Sequence, residues 1–403
     1  MSLSIPAAVA ALLDRLEAHG HRADVVGGCV RDMLLGRVPN DFDITTDATP
    51  TETVAIFADM RTVETGLKHG TLTVLSAGEP YEITTYRVDG TYADHRHPDA
   101  VSFTERLSDD LARRDFTVNA MCYHPARGVT DLFGGQEDLR AGVIRCVGDA
   151  EVRFEEDALR ILRALRFSAT LDFSIEEATA AAIRKKRQLL CTVSAERTYA
   201  ELRKLLMGVR ATAVFTEYRE IFDEILPMLH DLPINIDIFR HLPTFPLRFC
   251  ALFATAPDPV PRFLSACDAL RADGELRRTG ERLLPYIGIP TGGRRDLLEL
   301  LSVLGEEDTA RLLALRYALG TDPLDARERL EALLLTKPVF TVRALAIGGR
   351  EVMACGYRSA AFGEMLSRAL CAVMDGRVEN TPEALCAYIG RADAAQKGDR
   401  DGI

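Results

Sequence analysis

Val25-Val26-Gly27-Gly28-Cys29-Val30-Arg31-Asp32 and, a few residues on, Asn40-Asp41-Phe42-Asp43-Ile44 are the segments on which the fold turns. Two glycines after an apolar run let the backbone approach a bound group closely, because no Cβ intervenes. The N–H groups of a helix beginning there can hold phosphate oxygens, and Arg31 adds a cation. Neither GxxxxGK nor GxGxxG occurs, so this is not a P-loop or a dinucleotide fingerprint. Asp41 and Asp43, two residues apart, share one side of a strand. Such a pair repels itself unless a cation lies between. Mg²⁺ suits it, since that ion takes one or two carboxylates plus substrate phosphates. Two such ions can activate an attacking hydroxyl and stabilise a leaving pyrophosphate. Asn40-Asp41 after Pro39 is also good turn chemistry, so an exposed turn is the plainer alternative. The glycines and Arg31 upstream favour the metal site.

Outward from this core, short β-rich segments (Ala23–Val26, Phe42–Thr45, Leu72–Leu75, Tyr81–Tyr86, Ile144–Val147) alternate with turns and helical stretches. From about Glu151 nearly every segment has helical period. The expectation is an α+β head followed by a long all-α remainder. Breaks are expected near residue 150, within Pro227–Pro246 and at Lys337-Pro338, and residues 394–403 are expected to fray.

Arg113-Arg114-Asp115 offers two guanidinium forks for triphosphate oxygens, with Asp115 placed to orient one of them. A helix-end salt-bridge cluster would use the same residues. Arg153 to Phe167 reads as one strong helix, in which Asp157, Arg160, Arg163 and Arg166 recur every third residue and adjoin on its surface. A carboxylate and a guanidinium side by side match the amino group and ring nitrogen shared by cytosine and adenine, and mismatch uracil and guanine. An ordinary surface ion pair is the plainer reading of Asp157 and Arg160. Between Ala181 and Arg210 there are eight Lys/Arg against two Glu, a local balance of +6, including the run Arg184-Lys185-Lys186-Arg187. That run is either a solvated helix face or an RNA contact.

The bulk numbers bound these readings. The chain has 403 residues, 47% hydrophobic and 27% charged, enough apolar material for two to four domains without disulfides. Its nine cysteines form no CxxC pair, which argues against a zinc knuckle and suits a reducing cytoplasm. Ala7–Leu13 reads as an amphipathic helix rather than a signal peptide, and no stretch approaches a membrane span. The net charge of −11 disfavours nucleic-acid binding only weakly, because local charge can be concentrated.

Taken together, the ordered segments resemble the bacterial-type class II tRNA nucleotidyltransferases (CCA-adding enzymes) and their relatives, the bacterial poly(A) polymerases. The segments are Gly27 to Asp32, Asp41-Phe42-Asp43, Arg113 to Ala120, Glu156 to Arg163 and Glu196 to Leu202. The tail, from Leu345-Ala346-Ile347-Gly348-Gly349 to Gly376-Arg377-Val378-Glu379-Asn380, resembles the same enzymes. The likeness is weakest between about 215 and 335.

The resemblance implies a polymerase-beta-like nucleotidyltransferase head (residues 1–148) and a helical neck carrying the base site (149–215). It implies an RNA-binding helical body (216–338) and a tRNA-binding helical tail (339–403). It implies metal binding by Asp41 and Asp43, with two Mg²⁺, and triphosphate contact by Gly27, Gly28, Arg31 and Arg114. Base selection falls to Asp157 and Arg160, with Arg163 and Arg166 near the nucleotide. Asp115, Arg197 and Glu201 become structural supports, and Arg184, Lys185, Lys186 and Arg187 RNA contacts.

The implied activity is template-independent addition of CCA to the 3′ end of tRNA from CTP and ATP, with no obligate protein partner. The full stretch from Tyr86 to Pro98 accompanies complete CCA addition in this family. Residues 341–403 lack the basic run of some poly(A) polymerases. Poly(A) synthesis, CC- or A-addition alone, and a non-catalytic RNA-binding protein are the alternatives. His230-Asp231, followed by Leu232-Pro233, lacks the further ligands of an HD phosphohydrolase site.

Overall fold

The computed structural model describes residues 3–90, 101–234 and 237–398. The stretch from Tyr86 to Pro98, from which complete CCA addition is expected, therefore lies partly outside the described residues. In chain order the strands are β1 (Ala23–Val26), β2 (Asp43–Thr46), β3 (Thr62–Val63), β4 (Thr71–Ser76), β5 (Glu79–Thr85), β6 (Arg87–Asp89), β7 (Val101–Phe103), β8 (Met121–His124), β9 (Gly128–Asp131), β10 (Val143–Ile144) and β11 (Ser174–Ile175). Seven of them form one sheet in the order β3-β4-β5-β2-β1-β8-β9. Its central strands β1 and β8 are buried at all four positions, as strands covered on both faces require. Half-covered β4 alternates, with Leu72 and Val74 inward.

The register decides what meets at one end of this sheet. Val26 lies opposite Asp43 on antiparallel β2 and opposite Cys122 on antiparallel β8. Asp43 in turn lies beside Glu82 on parallel β5. The Gly27–Gly28 turn that follows Val26 is thereby held next to the Asp43 carboxylate. Five helices flank the sheet: α1 (Ala7–Ala18), α2 (Gly28–Leu34), α3 (Pro50–Ile56), α4 (Leu107–Ala112) and α5 (Gly135–Ala141). Helix α1 buries Val9, Leu12, Leu13 and Leu16, the amphipathic spacing its sequence promises. Helix α3 starts from a Thr49–Glu52 capping box with Pro50 in its first turn.

Helices α6 (Ala150–Glu156), α7 (Leu159–Leu171), α8 (Glu177–Lys186), α9 (Ala195–Leu206), α10 (Ala211–Glu217) and α11 (Arg219–Ile225) follow. The single helix expected from Arg153 to Phe167 is in fact two. The chain breaks at Asp157, whose backbone is extended (φ −138, ψ 104). The cause is local capping: the Asp157 carboxylate accepts the Leu159 N–H at 3.0 Å, and its other oxygen is drawn to Arg197 at 2.8 Å. Helices α7 and α9 pack together, and the turn after α9 closes on α7 at Gly208. A Cβ there would stand 2.5 Å from the Ala169 carbonyl, so no larger residue fits without displacing the turn.

The chain divides into two compact units, Met1–Asp231 with Ser265–Ala272, and Leu232–Leu264 with Asp273–Ile403. The second unit is helical: α12 (Phe245–Ala251), the first half of α13 (Pro259–Leu270), α14 (Gly274–Leu283), α15 (Arg294–Ala318), α16 (Ala326–Leu335), α17 (Gly349–Ala354), α18 (Phe362–Met374) and α19 (Pro382–Gly398). Leu298, Leu301, Leu330, Val352, Ala369 and Leu385 are at the centre of its core. Helix α15 kinks at Gly305, which adopts φ 78. None of the described helices is long and apolar enough to cross a membrane.

Candidate active site

At the head of α2 the chain turns through Gly27 (φ 85, ψ −131), a conformation closed to side-chain-bearing residues. A Cβ on Gly27 would also stand 2.9 Å from Nη1 of Arg114. The sequence thus supplies glycine where a guanidinium presses against the backbone. Arg114 reaches Asp110 at only 3.5 Å, and its buried Nε has no hydrogen-bond partner. It is the least committed arginine of the site, and an orphaned buried donor calls for an acceptor.

Asp43 opens β2 with its side chain accessible to solvent, yet surrounded by protein atoms. That partial desolvation, the like charge of Asp41 and the neighbouring Glu82 push its pKa up to about 6, with Arg114 opposing them. Burial and the Asp43 charge likewise push the Cys29 thiol up to about 12. The carboxylate pair thus carries unneutralised negative charge beside a cation that is not fully engaged. These hard oxygen donors fit a divalent ion such as Mg²⁺. Among the described residues no group of three or more His, Cys, Asp or Glu is arranged to hold a metal. The protein's share of the coordination would be the Asp41 and Asp43 carboxylates.

Behind this edge runs a continuous polar chain. Arg31 donates to Asn119 at 2.6 Å, Asn119 donates to Asp115 at 3.1 Å, and Arg163 on α7 donates twice to Asp115, at 2.8 and 2.6 Å. Burial opposes ionisation of Asp115, but Arg163 and the hydrogen bonds from Arg163 and Asn119 outweigh it and hold its pKa at about 2. Arg31 is further engaged by Asp32. Arg166 meets Glu201 of α9 at 2.6 Å, an ion pair poorly aligned as a hydrogen bond. Burial still lowers the Arg166 pKa, only partly offset by Glu201. The guanidinium carbons of Arg31, Arg163 and Arg166 all lie over the Phe167 ring, at 5.1, 5.3 and 3.9 Å from its centroid.

Several expected roles shift. Asp115 does not orient Arg113 or Arg114; buried Asp110 does, pairing with both while accepting from Thr45 of β2. The wrong partner was expected because Asp115 adjoins them in sequence, whereas Asp110 stands one helical turn back. Asp157 and Arg160 do not pair with each other. Asp157 is held by Arg197, and Arg160 gives its two terminal nitrogens to Glu156, the Arg153 carbonyl and the Arg113 carbonyl. Glu156, Asn119, Asp110 and Glu82 were missed. Asp110 and Glu156 had a readable signal, their i,i+3 and i,i+4 spacing to arginines.

The run Arg184 to Arg187 is brought to a different surface and is neutralised there. Arg184 pairs with Glu220, Lys185 and Lys186 with Glu151, Lys186 also with Glu155, and Arg187 with Glu224. A free cationic patch is not what these residues form.

Known proteins resemble this chain in sequence and fold. Residues 23–145 match the Poly A polymerase head domain, and residues 172–232 match the probable RNA and SrmB-binding site of polymerase A. The CCA-adding enzyme of Lactobacillus helveticus (strain DPC 4571) is 36% identical over 391 residues, covering 95% of this chain and 96% of that one. The chain belongs to the CCA-adding enzymes. The crystal structure of the Bacillus stearothermophilus CCA-adding enzyme in complex with CTP superposes with a TM-score of 0.79 at 30% identity, covering 97% of this chain and 98% of that one. The fold also matches the Thermotoga maritima CCA-adding enzyme complexed with tRNA-CCA, with a TM-score of 0.68 at 22% identity, covering 95% and 94%. In this CCA-adding enzyme the motifs of the first 201 residues all fall in one compact unit.

Proposed function

We propose that the protein adds C, C and A in turn to the 3′ end of tRNA in the cytoplasm, taking CTP and ATP and releasing pyrophosphate. The observation that carries this reading is the carboxylate pair at the start of the central strand β2, its charge unneutralised, beside the Gly27–Arg114 contact. The backbone at Gly27 and Gly28, with Arg114 and Arg31, binds the triphosphate, and the uncommitted Nε of Arg114 gains an acceptor. Asp41 and Asp43 hold Mg²⁺, which when bound neutralises charge at the reacting phosphate and eases ionisation of the attacking hydroxyl.

Asp157 and Arg160 select the base, with Arg163 and Arg166 beside the nucleotide, and Arg197 and Glu201 brace the helices that carry them. For Arg160 to meet a base it must exchange one of its carbonyl or Glu156 contacts for the ligand. Arg160 already has partners for both terminal nitrogens, so only a base returning equivalent hydrogen bonds repays the exchange. The neck, body and tail divisions at 149–215, 216–338 and 339–403 belong to the same reading.

The test is to incubate the protein with tRNA lacking its last three nucleotides, Mg²⁺, CTP and ATP, and to sequence the 3′ ends. CCA and nothing longer is expected. A ladder of A from ATP alone would make it a poly(A) polymerase, and no incorporation a non-catalytic binder.

A further inference from the structure

Burial sorts the nine cysteines. Cys29, Cys122 and Cys146 lie inside the first unit, where burial above all pushes each thiol up to about 12, so they stay protonated and inert. Cys191 and Cys371 are exposed. Cys355 and Cys386 are half-buried, and they meet each other. Cys355 closes the C-terminal end of α17, and Cys386 stands near the start of α19, 31 residues on. The Cys355 Sγ lies 4.0 Å from the Cys386 carbonyl oxygen, and the Cys386 thiol is hydrogen-bonded to the Cys355 sulfur. Packing brings them together. Val352 on α17 and Leu385 and Ile389 on α19 are buried in the core of the second unit, and both cysteines pack against that core. Gly356 (φ 94) turns the chain straight after Cys355, and the Tyr357 hydroxyl then donates to the Ile389 carbonyl at 3.1 Å, about one turn beyond Cys386. Between Pro382 and Gly390 only Leu385 and Ile389 are fully buried, so this part of α19 is held by a short contact.

We propose that Cys355 and Cys386 are an oxidisable dithiol, and that their disulfide staples α19 to the end of α17. The oxidant is a hydroperoxide. The Cys355 sulfur attacks one peroxide oxygen, the O–O bond breaks, and hydrogen peroxide leaves a Cys355 sulfenic acid and one water. The Cys386 sulfur then attacks the sulfenic sulfur, the S–O bond breaks, and the oxygen departs as a second water with the Cys386 proton. Two thiols thus lose two electrons and two protons, and the peroxide is reduced. Cys355 attacks first because burial, and after it the hydrogen bond to Cys355, raise the Cys386 pKa and keep that thiol protonated. A small dithiol reverses the bond by exchange. In a reducing compartment such a bond is transient, a response to oxidant rather than a fixture of the fold.

The experiment uses the full chain carrying Cys191→Ser/Cys371→Ser, which removes the two exposed thiols. It is treated with hydrogen peroxide, alkylated and mapped by mass spectrometry. The expected product is a single chain about 2 Da lighter, with the peptides holding Cys355 and Cys386 joined, and dithiothreitol should restore the original mass. Oxidation should raise the melting temperature by about 5 °C or more, because the cross-link restricts the unfolded chain. Amide exchange in α19 should slow by about tenfold or more. Adding Cys386→Ser should abolish the joined peptides, the melting shift and the slowing together, and leave Cys355 as a sulfenic acid that dimedone captures. Joining of Cys355 to any other cysteine, a disulfide between two copies of the chain, or overoxidation of Cys355 with Cys386 still a thiol would overturn the proposal. So would a joined pair with unchanged exchange in α19, since the bond would then staple nothing.

Discussion

Asp43 and Asp115 are the same acid in the same unit, and their surroundings drive them apart. Asp43, partly desolvated beside Asp41 and Glu82, is pushed up to about 6. Asp115 is more deeply buried, yet Arg163 and Asn119 draw it down to about 2. Burial raises both, so the neighbours decide. The start of β2 holds negative charge that the protein leaves unbalanced, and the Asp115–Arg163 junction holds negative charge that the protein has already balanced. The first has charge to offer a cation, and the second has none left to offer.

The largest effect should come from neutralising the unbalanced side. Asp43→Asn is expected to cut nucleotide incorporation by about 10³-fold or more, the several kcal/mol that a Lewis-acid contact contributes to a phosphoryl transition state. The same variant should be more stable than the wild type in chelator above pH 6. A raised folded pKa means that the folded state loses stability as pH climbs from about 4 through 6, and asparagine removes that loss. Thermal melts at pH 5 and pH 8 in EDTA check it; a variant less stable than wild type at pH 8 would erase the contrast with Asp115.

Asp115→Ala should fail in the opposite manner, through the fold. It strands Arg163 in a buried site and severs the link through Asn119 to Arg31, and removing one partner of such a pair costs about 3–5 kcal/mol. The pH dependence is also reversed. Because the folded pKa is depressed, the stability Asp115 contributes is present above about 4 and disappears as pH falls towards 2. Urea titrations of wild type and variant at pH 7 and pH 3 should therefore converge at the lower pH. A constant difference between them would remove Asp115 from the acid-sensitive groups.

This pair of acids also shows what the sequence could and could not disclose. The glycine pair and the α+β head with its helical remainder were legible, because each rests on local rules, backbone freedom and period 3.6; Asp41 was expected on the same strand as Asp43, but β2 opens at Asp43 and Asp41 precedes it. Strand β8 was missed, since Met121–His124 is buried at every position and shows no alternation. The break at Asp157 was hidden by good helix formers on both sides; its carboxylate caps Leu159 and is drawn to Arg197, 40 residues away. Arg31 and Asn119 are 88 residues apart and carry no mutual signal at all. Local periodicity reports elements, and the pairing that sets charge is a product of tertiary contact.

The smallest effect concerns the run that looked most like an RNA contact. Lys185 is 63% exposed and Glu151 39%, and an ion pair this wet adds little to stability. Lys185→Ala should leave the melting curve almost unchanged and alter tRNA affinity by less than about 2-fold. The reasoning is one of net charge: Glu151, Glu155, Glu220 and Glu224 stand against the four cations, so deleting one leaves the local field near neutral. A tenfold loss of tRNA affinity in Lys185→Ala, read by filter binding at two salt concentrations, would mean that RNA displaces those glutamates. Pairing in the free protein would then be no guide to which cations meet the phosphate backbone.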